Sequence, residues 1–153
     1  MSKEIKVKRI GDGTVIDHIT SGQALNVLKI LGITEAYPTT PVSVAMNVPS
    51  KKLGSKDIVK IEGRELKSDE VDKISLISPD ATINIIRNKE TTEKKKVALP
   101  EFIEGVLKCA NPNCISNSET AKTRFKIEEK APIKIRCIYC ERIMHEPDIV
   151  TQF

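Results

Sequence analysis

Apolar and polar residues alternate along much of the chain up to residue 87, as they do in half-buried β-strands. Ile5 and Val7 alternate with lysines, and Val42, Val44 and Met46 alternate with small or polar residues. Other segments are short apolar runs rich in β-branched residues. The predicted strands cover residues 3–10, with a short continuation over 14–19, and then 42–48, 58–61 and 81–87.

Two segments between these strands have apolar residues at helical spacing. In the first helix these residues are Ala24, Leu25, Val27, Leu28 and Leu31. Thr20 or Ser21 is predicted to cap its start, and Gly32 stands where a helix typically ends. The second helix is predicted to begin at Ser68 as the N-cap, followed by acidic residues that suit the helix dipole, and to end before Pro79.

The resulting order is β-α-β-β-α-β, which is the plan of the ferredoxin-like fold: one antiparallel sheet with two helices on one face. The predicted class is therefore α+β, with a small, β-rich C-terminal domain of the zinc-ribbon type after the ferredoxin-like domain. Residues 88–96 carry no apolar side chain and precede Pro100, so they are predicted to be a hinge or linker. Because this fold serves many functions, it does not by itself indicate one.

Composition supports a globular protein, with 39% hydrophobic and 30% charged residues among 153. No apolar run approaches the roughly 18 residues of a membrane helix. The N-terminus has no apolar segment of the signal-peptide type, so we expect a cytoplasmic protein. The net charge of +4 lies entirely in residues 1–100, with 17 Lys and Arg against 13 Asp and Glu, whereas residues 101–153 have 8 of each.

The cysteines all lie in the second part, in a C-x4-C and a C-x2-C motif separated by 22 residues: Cys109, Cys114, Cys137 and Cys140. Two such pairs match the four ligands of a tetrahedral zinc ion. Two disulfides or four buried free thiols are the alternatives, and a cytoplasmic location disfavours disulfides. With all four positions filled by cysteine, the zinc would be structural rather than catalytic, and His145 is expected to be a surface residue.

The sequence contains no P-loop, G-x-G-x-x-G or G-x-S-x-G motif. Asp17 and His18 are adjacent on a predicted strand, so their side chains are expected to point to opposite faces. Tyr37 is the only aromatic residue among the first 100, which disfavours base stacking on a nucleic acid. The lysines of the first part favour a small polyanion such as a triphosphate, although solvated surface lysines are the alternative.

Several motifs resemble those of the aspartate carbamoyltransferase regulatory chain, in the same order and over nearly the whole chain. They are Gly13-Thr-Val-Ile-Asp-His-Ile19, Asn47-Val-Pro-Ser50, Gly54-Ser-Lys-Asp-Ile-Val-Lys-Ile-Glu62, Leu99-Pro-Glu101, Cys109-x-Asn-x-Asn-Cys-Ile-Ser116 and Cys137-x-Tyr-Cys-Glu141. The resemblance implies a non-catalytic subunit of pyrimidine biosynthesis. Residues 1–97 would form an allosteric domain that binds CTP or ATP, and residues 101–153 a structural zinc domain that docks on the catalytic chain. Regulatory chains of this family pair as homodimers that link catalytic trimers.

The resemblance also implies roles for single residues. In the effector site, backbone groups of Val7, Lys8, Arg9 and Ile10 would contact the base, Asp17 the ribose, and His18, Lys60 and Lys94 the phosphates, while Asn84, Ile86 and Thr91 would line the pocket. Beside the zinc, Asn111, Asn113 and Glu141 would face the catalytic chain. Lys89 departs from the family pattern, since some members carry an aromatic residue there, and this bears on packing around the base and on nucleotide preference.

One alternative function from another class remains: a zinc-ribbon protein that binds nucleic acid. Salt-dependent binding of a random oligonucleotide would favour it, whereas binding of single nucleotides would favour the regulatory subunit. We expect no nucleic-acid partner and no membrane association.

Overall fold

The computed structural model describes residues 11–33, 39–119 and 121–153. The strand predicted over residues 3–10, including Val7, Lys8, Arg9 and Ile10, lies outside these ranges. The elements are β1 (Gly13–Thr20), α1 (Ala24–Ile30), β2 (Val42–Ser50), β3 (Gly54–Glu62), α2 (Ser68–Ile77), β4 (Thr82–Arg87), β5 (Glu90–Lys96), β6 (Phe102–Glu104), α3 (Ile115–Ser118), β7 (Arg124–Lys130), β8 (Ile133–Cys137), β9 (Ile143–His145) and α4 (Glu146–Val150). Within the described ranges, no helix combines the length and the apolar character needed to cross a membrane.

The first five strands form one antiparallel sheet in the order β2-β3-β1-β4-β5. Apolar side chains of α1 and α2 pack on the same face of this sheet, against a core that includes Ile16, Val59 and Ile83. The other face carries no helix of the described part, and we call it the open face. The predicted α+β class and the ferredoxin-like order of the first four strands are confirmed. The segment 13–20, expected to be a short continuation, is the central strand.

The linker predicted over residues 88–96 is wrong. Asn88 and Lys89 have positive φ angles of 54° and 65° and form a two-residue turn, and the next residues pair with β4 as the edge strand β5. All seven residues of β5 are exposed. An edge strand that is solvated on both faces has no apolar alternation, so hydrophobic periodicity cannot reveal it. As a result, β4 is an inner strand of the described sheet, with β5 on its outer side.

The predicted N-cap of α1 is also wrong, although its C-terminal end is confirmed. Neither Thr20 nor Ser21 caps this helix, because the carboxylate of Asp57 on β3 takes that role. The N–H groups of Gly22 and Ala24 donate to Asp57 Oδ2 at 2.9 and 3.0 Å. A cap supplied from a distant strand leaves no local sequence signal.

Asp57 is fully buried, and its Oδ1 also accepts a hydrogen bond from the Asn47 N–H at 2.8 Å. Replacing Asp57 with Ala would leave three backbone donors without this partner. We expect the free energy of unfolding to fall by about 2–4 kcal/mol, measured by urea titration of the purified chain. The half-exposed Asp80 is the matched control, since Asp80→Ala removes only a surface ion pair. Equal losses in the two variants would refute the structural role of Asp57.

The last four strands form a second antiparallel sheet in the order β6-β7-β8-β9. Its core contains Phe125, Ile135 and Met144 together with three of the cysteines. This matches the small β-rich domain predicted around the cysteines. The two cores meet along α2 and the C-terminus, because Leu76 joins the second core and Phe153 packs against both.

Candidate functional site

Strand register brings three of the predicted effector residues into one row on the open face. Across the sheet, Lys60 lies opposite Val15, Val15 opposite Asn84, and Asn84 opposite Lys94. Residues directly opposite each other in antiparallel strands share a face. The row spans three strand spacings, about 14 Å between the two lysine backbones, so their long side chains can approach the same ligand.

The two lysines of this row lack an acidic partner in the part of the chain that the structure describes, where the ion pairs involve other residues. Lys60 is half-buried in the middle of the sheet, whereas Lys94 is exposed on the edge strand. An ammonium group that loses part of its hydration without gaining a counter-charge is costly. The arrangement around Lys60 therefore favours an external anion.

A bulge in β1 brings Asp17 and His18 to the same side, contrary to the prediction that they point to opposite faces. The register of β1 against β3 shifts between Ile16 and Ile19, and His18 has a φ of 55°. The two side chains approach within 4.0 Å, from His18 Nδ1 to Asp17 Oδ2. His18 Nδ1 also shares a hydrogen bond with Thr82 Oγ1 at 3.0 Å, on the strand position paired with Asp17.

Lys56 is a further cation near this row, and it was not among the predicted site residues. Its Nζ lies 2.9 Å from Asp17 Oδ1. Burial favours the neutral form of Asp17, but the hydrogen bonds from Lys56 and from the His18 N–H outweigh it and lower the pKa of the Asp17 carboxyl. The carboxylate is therefore held ionised, in a form that can accept hydrogen bonds from hydroxyl groups.

Replacing Lys56 with Met should raise the pKa of Asp17, because burial would then act without its main opposing interaction. An NMR titration of the Asp17 carboxyl measures this directly. We expect protonation at a higher pH in the variant than in the wild-type chain. Lys73→Met, on α2, is the control and should leave the titration of Asp17 unchanged. An unaltered midpoint in Lys56→Met would show that the ion pair does not set this pKa.

Ile86 and Thr91 form the neighbouring row on the open face, where both align with Gly13. Ile86 is buried and Thr91 exposed. Lys89 lies at the turn beyond them, and its N–H donates to the Gly11 carbonyl at 2.7 Å. Val7 to Ile10 directly precede this point in sequence and lie outside the described residues.

The four cysteine sulfurs form a second cluster, all within 4.8 Å of one another. The Sγ atoms are 3.5 Å apart between Cys109 and Cys140, and 3.7 Å apart between Cys114 and Cys137. Tetrahedral zinc with Zn–S bonds of about 2.3 Å requires S···S distances of about 3.8 Å, whereas a disulfide requires about 2.05 Å. All four cysteines are free, which matches a metal site and excludes the disulfide alternative.

The protein environment of these thiols also suits a cation. Burial raises the pKa of the Cys109 thiol to about 12 and also raises the pKa of Cys137. At Cys140, burial is outweighed by hydrogen bonds, first among them the one from the Arg142 N–H, which lower the pKa to about 7. Four thiolates this close together repel one another, so a bound cation is needed to keep all four deprotonated. His145 is exposed and lies outside the cluster, as predicted.

The C-x4-C loop is held by side chains around it. Asn117 Nδ2 donates to the carbonyls of Cys109 and Asn111 at 3.0 and 2.7 Å. The Asn113 N–H donates to Asn111 Oδ1 at 3.0 Å, closing a tight turn. On the other loop, Glu141 is exposed with a φ of 65°, and its N–H donates to the Cys137 carbonyl. The two cysteine loops therefore set the positions of Asn111, Asn113 and Glu141.

Three residues of these sites were not predicted from the sequence: Lys56, Asp57 and Asn117. Period-two spacing places Lys56 on the same face as Lys60, so this signal was available in the strand pattern. Asp57 and Asn117 act through hydrogen bonds to distant or irregular backbone, and no spacing rule indicates such contacts.

Comparison with known families also divides the chain into two parts, which correspond to the two sheets. Residues 5–98 match the model of the aspartate carbamoyltransferase regulatory chain, allosteric domain. Residues 101–150 match the model of the aspartate carbamoyltransferase regulatory chain, metal binding domain. Between them the two models cover nearly the whole chain, and the second contains the complete cysteine cluster.

Named relatives are similar over almost their full length. A chain of Methanocaldococcus jannaschii is 60% identical over 94% of this chain and 95% of its own. A chain of Pyrococcus horikoshii is 56% identical, covering 96% and 97%, and one of Korarchaeum cryptofilum is 54% identical, covering 99% and 98%. All three are named aspartate carbamoyltransferase regulatory chain, which designates a non-catalytic subunit. The chain described here therefore belongs to the family of aspartate carbamoyltransferase regulatory chains, with an allosteric domain followed by a metal-binding domain.

Proposed function

We propose that the chain binds CTP and ATP as effectors on the open face of its first sheet, within a domain of residues 1–97. Lys60, Lys94 and His18 bind the phosphates, and Asp17 accepts hydrogen bonds from the ribose hydroxyls. Asn84, Ile86 and Thr91 line the pocket beside them. The backbone of residues 7–10 contacts the base. The main support for this proposal is the row in which Lys60 and Lys94 flank Asn84 and lack an acidic partner among the described residues.

The second domain, residues 101–153, holds one structural zinc ion through Cys109, Cys114, Cys137 and Cys140. Thiolate ligands and sulfur separations near the tetrahedral value support zinc over harder cations, which prefer oxygen ligands. With four protein ligands, the ion has no open position for water. Its role is to fix the two loops that carry Asn111, Asn113 and Glu141.

We further propose that these loops dock on the catalytic chain of aspartate carbamoyltransferase. The surface around them exposes Ile115, Ile138 and Tyr139 at 49%, 42% and 45% of their areas. Exposed apolar side chains beside polar ones are typical of protein interfaces. Pairing of two regulatory chains is the second contact, and the exposed Val44 and Met46 on edge strand β2 support it. A homodimer would then link two catalytic trimers.

Reconstitution tests this function. We expect the purified chain alone to show no carbamoyl transfer to aspartate, and to make the activity of added catalytic trimers responsive to CTP and ATP. The response should require both domains in one chain. Turnover by the chain free of catalytic subunits would contradict the proposal, as would trimers that bind the chain but ignore nucleotides.

A further inference from the structure

A hydrogen bond joins the start of α1 in the first domain to the start of α4 in the second. Gln23 Nε2 donates to Glu146 Oε1 at 2.6 Å. Asn26 Nδ2 donates to the other end of the same amide, Gln23 Oε1, at 2.8 Å. Because an ionised carboxylate only accepts, the amide nitrogen of Gln23 must face Glu146. Both ends of the amide are engaged, so this side chain has a defined orientation between the two domains.

The backbone on both sides of Gln23 is anchored to β3. Gly22 and Ala24 both donate to the buried carboxylate of Asp57, which leaves Gln23 between two fixed amides. The residue before Asp57 is Lys56, and adjacent strand residues point to opposite faces. Lys56 therefore pairs with Asp17 on the open face, while Asp57 holds the start of α1 on the helical face. Two adjacent residues of β3 thus contact Asp17 on the open face and the start of α1 on the helical face.

Glu146 is linked to the cysteine cluster through the packing of α4 and the pairing of β9. It is the first residue of α4, which directly follows β9. Ile149 of α4 is fully buried in the second core together with Cys137 and Met144. Strand β9 pairs with β8, whose last residue is the metal-ligand candidate Cys137. A displacement of Glu146 would thus be passed to the loop that carries Glu141.

We propose that Asp57, Gln23 and Glu146 are positioning residues that couple the open face to the metal-binding domain. This inference rests on the proposed effector function. An anionic ligand on the open face competes with Asp17 for Lys56, and a shift of β3 at this point carries the start of α1 with it through Asp57. The Gln23–Glu146 hydrogen bond then transfers the shift to α4. None of the three residues needs to touch the ligand.

A reciprocal exchange tests the contact in the assembled holoenzyme. Gln23→Glu places two carboxylates against each other, and we expect the nucleotide-induced change in activity at subsaturating aspartate to weaken by about two- to thirtyfold. Adding Glu146→Gln restores a donor and an acceptor with their positions exchanged, and Asn26 can still donate to the new carboxylate. The double variant should recover most of the response, while CTP affinity by calorimetry stays near the wild-type value in both.

Gln152→Glu is the matched control, because the Gln152 amide contacts Lys108 and Asp148 within the second domain. It should leave the response unchanged, and zinc content and assembly should be equal in all variants. A wild-type response in Gln23→Glu, or no recovery in the double variant, would overturn the coupling role alone. Failure of the wild-type chain to bind CTP or ATP would instead overturn the effector function, and the coupling role with it.

Discussion

Removing the metal should unfold the second domain while the first sheet stays folded. The core of the second domain is built partly from three of the four cysteines, so loss of the ion places like-charged or unpaired thiol groups inside a small core. Structural zinc typically supplies about 10–16 kcal/mol of binding free energy, more than the whole stability of a domain of this size. Amide hydrogen exchange after chelation should show rapid exchange from β6 to α4 and retained protection in β1 to β4.

One feature of the structure sharpens this expectation. Leu76 belongs to the second core, so the C-terminal turn of α2 should lose some protection although it lies in the first domain. Cys137→Ala should reproduce the effect of the chelator and abolish binding to catalytic trimers, whereas Ser118→Ala, an exposed residue of α3, should not. Metal-free chain that still joins catalytic trimers with normal affinity would show that the ion is dispensable for docking.

Replacing Lys60 or Lys94 with Ala should weaken both CTP and ATP by roughly one to two powers of ten. A hydrogen bond to a charged group contributes about 1.5–3 kcal/mol, and 1.4 kcal/mol corresponds to about tenfold in affinity. The half-buried Lys60 should lie at the upper end of this range, and the exposed, better-hydrated Lys94 at the lower end. Both nucleotides should be affected alike, because they share the triphosphate.

The lysine variants should remain folded. Lys60→Ala removes an ammonium that has no acidic partner among the described residues, so the thermal stability of the free chain should not fall. Zinc content and assembly should also be unchanged, since both lysines belong to the other sheet. The assembled enzyme should keep its activity and lose its response to nucleotides. Unchanged affinity in both variants would mean that the effector binds elsewhere.

The parts of the fold that follow from hydrophobic periodicity could be predicted from the sequence. Strands β3 and β4 and both long helices bury apolar side chains, and their apolar spacing marks them. Strand β2 is marked by strict alternation, although its side chains are only half-buried or exposed. Strand β5 could not be found in this way, because none of its seven side chains is buried. The Asn88–Lys89 turn lacked the glycine that usually marks a two-residue hairpin. Strand β5 can be identified only from its pairing with β4, which is a property of the folded chain.

Some site residues could be predicted from local sequence spacing, whereas others depend on how the strands pair. Close cysteine pairs indicate a metal site because each pair supplies two ligands from one turn. The row of Lys60, Asn84 and Lys94 depends on the registers of four strands, which the sequence does not specify. The common side of Asp17 and His18 depends on a bulge, and the strand rule of alternating faces therefore failed there. Asp57 caps a helix 33 residues away from its own position.

The proposal that nucleotides bind on the open face is tested most directly by comparing the CTP affinities of Lys94→Ala and Lys95→Ala. Both lysines are exposed neighbours on β5, but Lys94 aligns with Asn84 on the open face and Lys95 with Ile83 on the helical face. The two variants thus remove the same charge from opposite faces of the sheet. Calorimetric titration should show a loss of about tenfold or more for Lys94→Ala and little change for Lys95→Ala. Equal losses would mean that the lysines act only through net charge, and a larger loss for Lys95→Ala would place the effector on the other face.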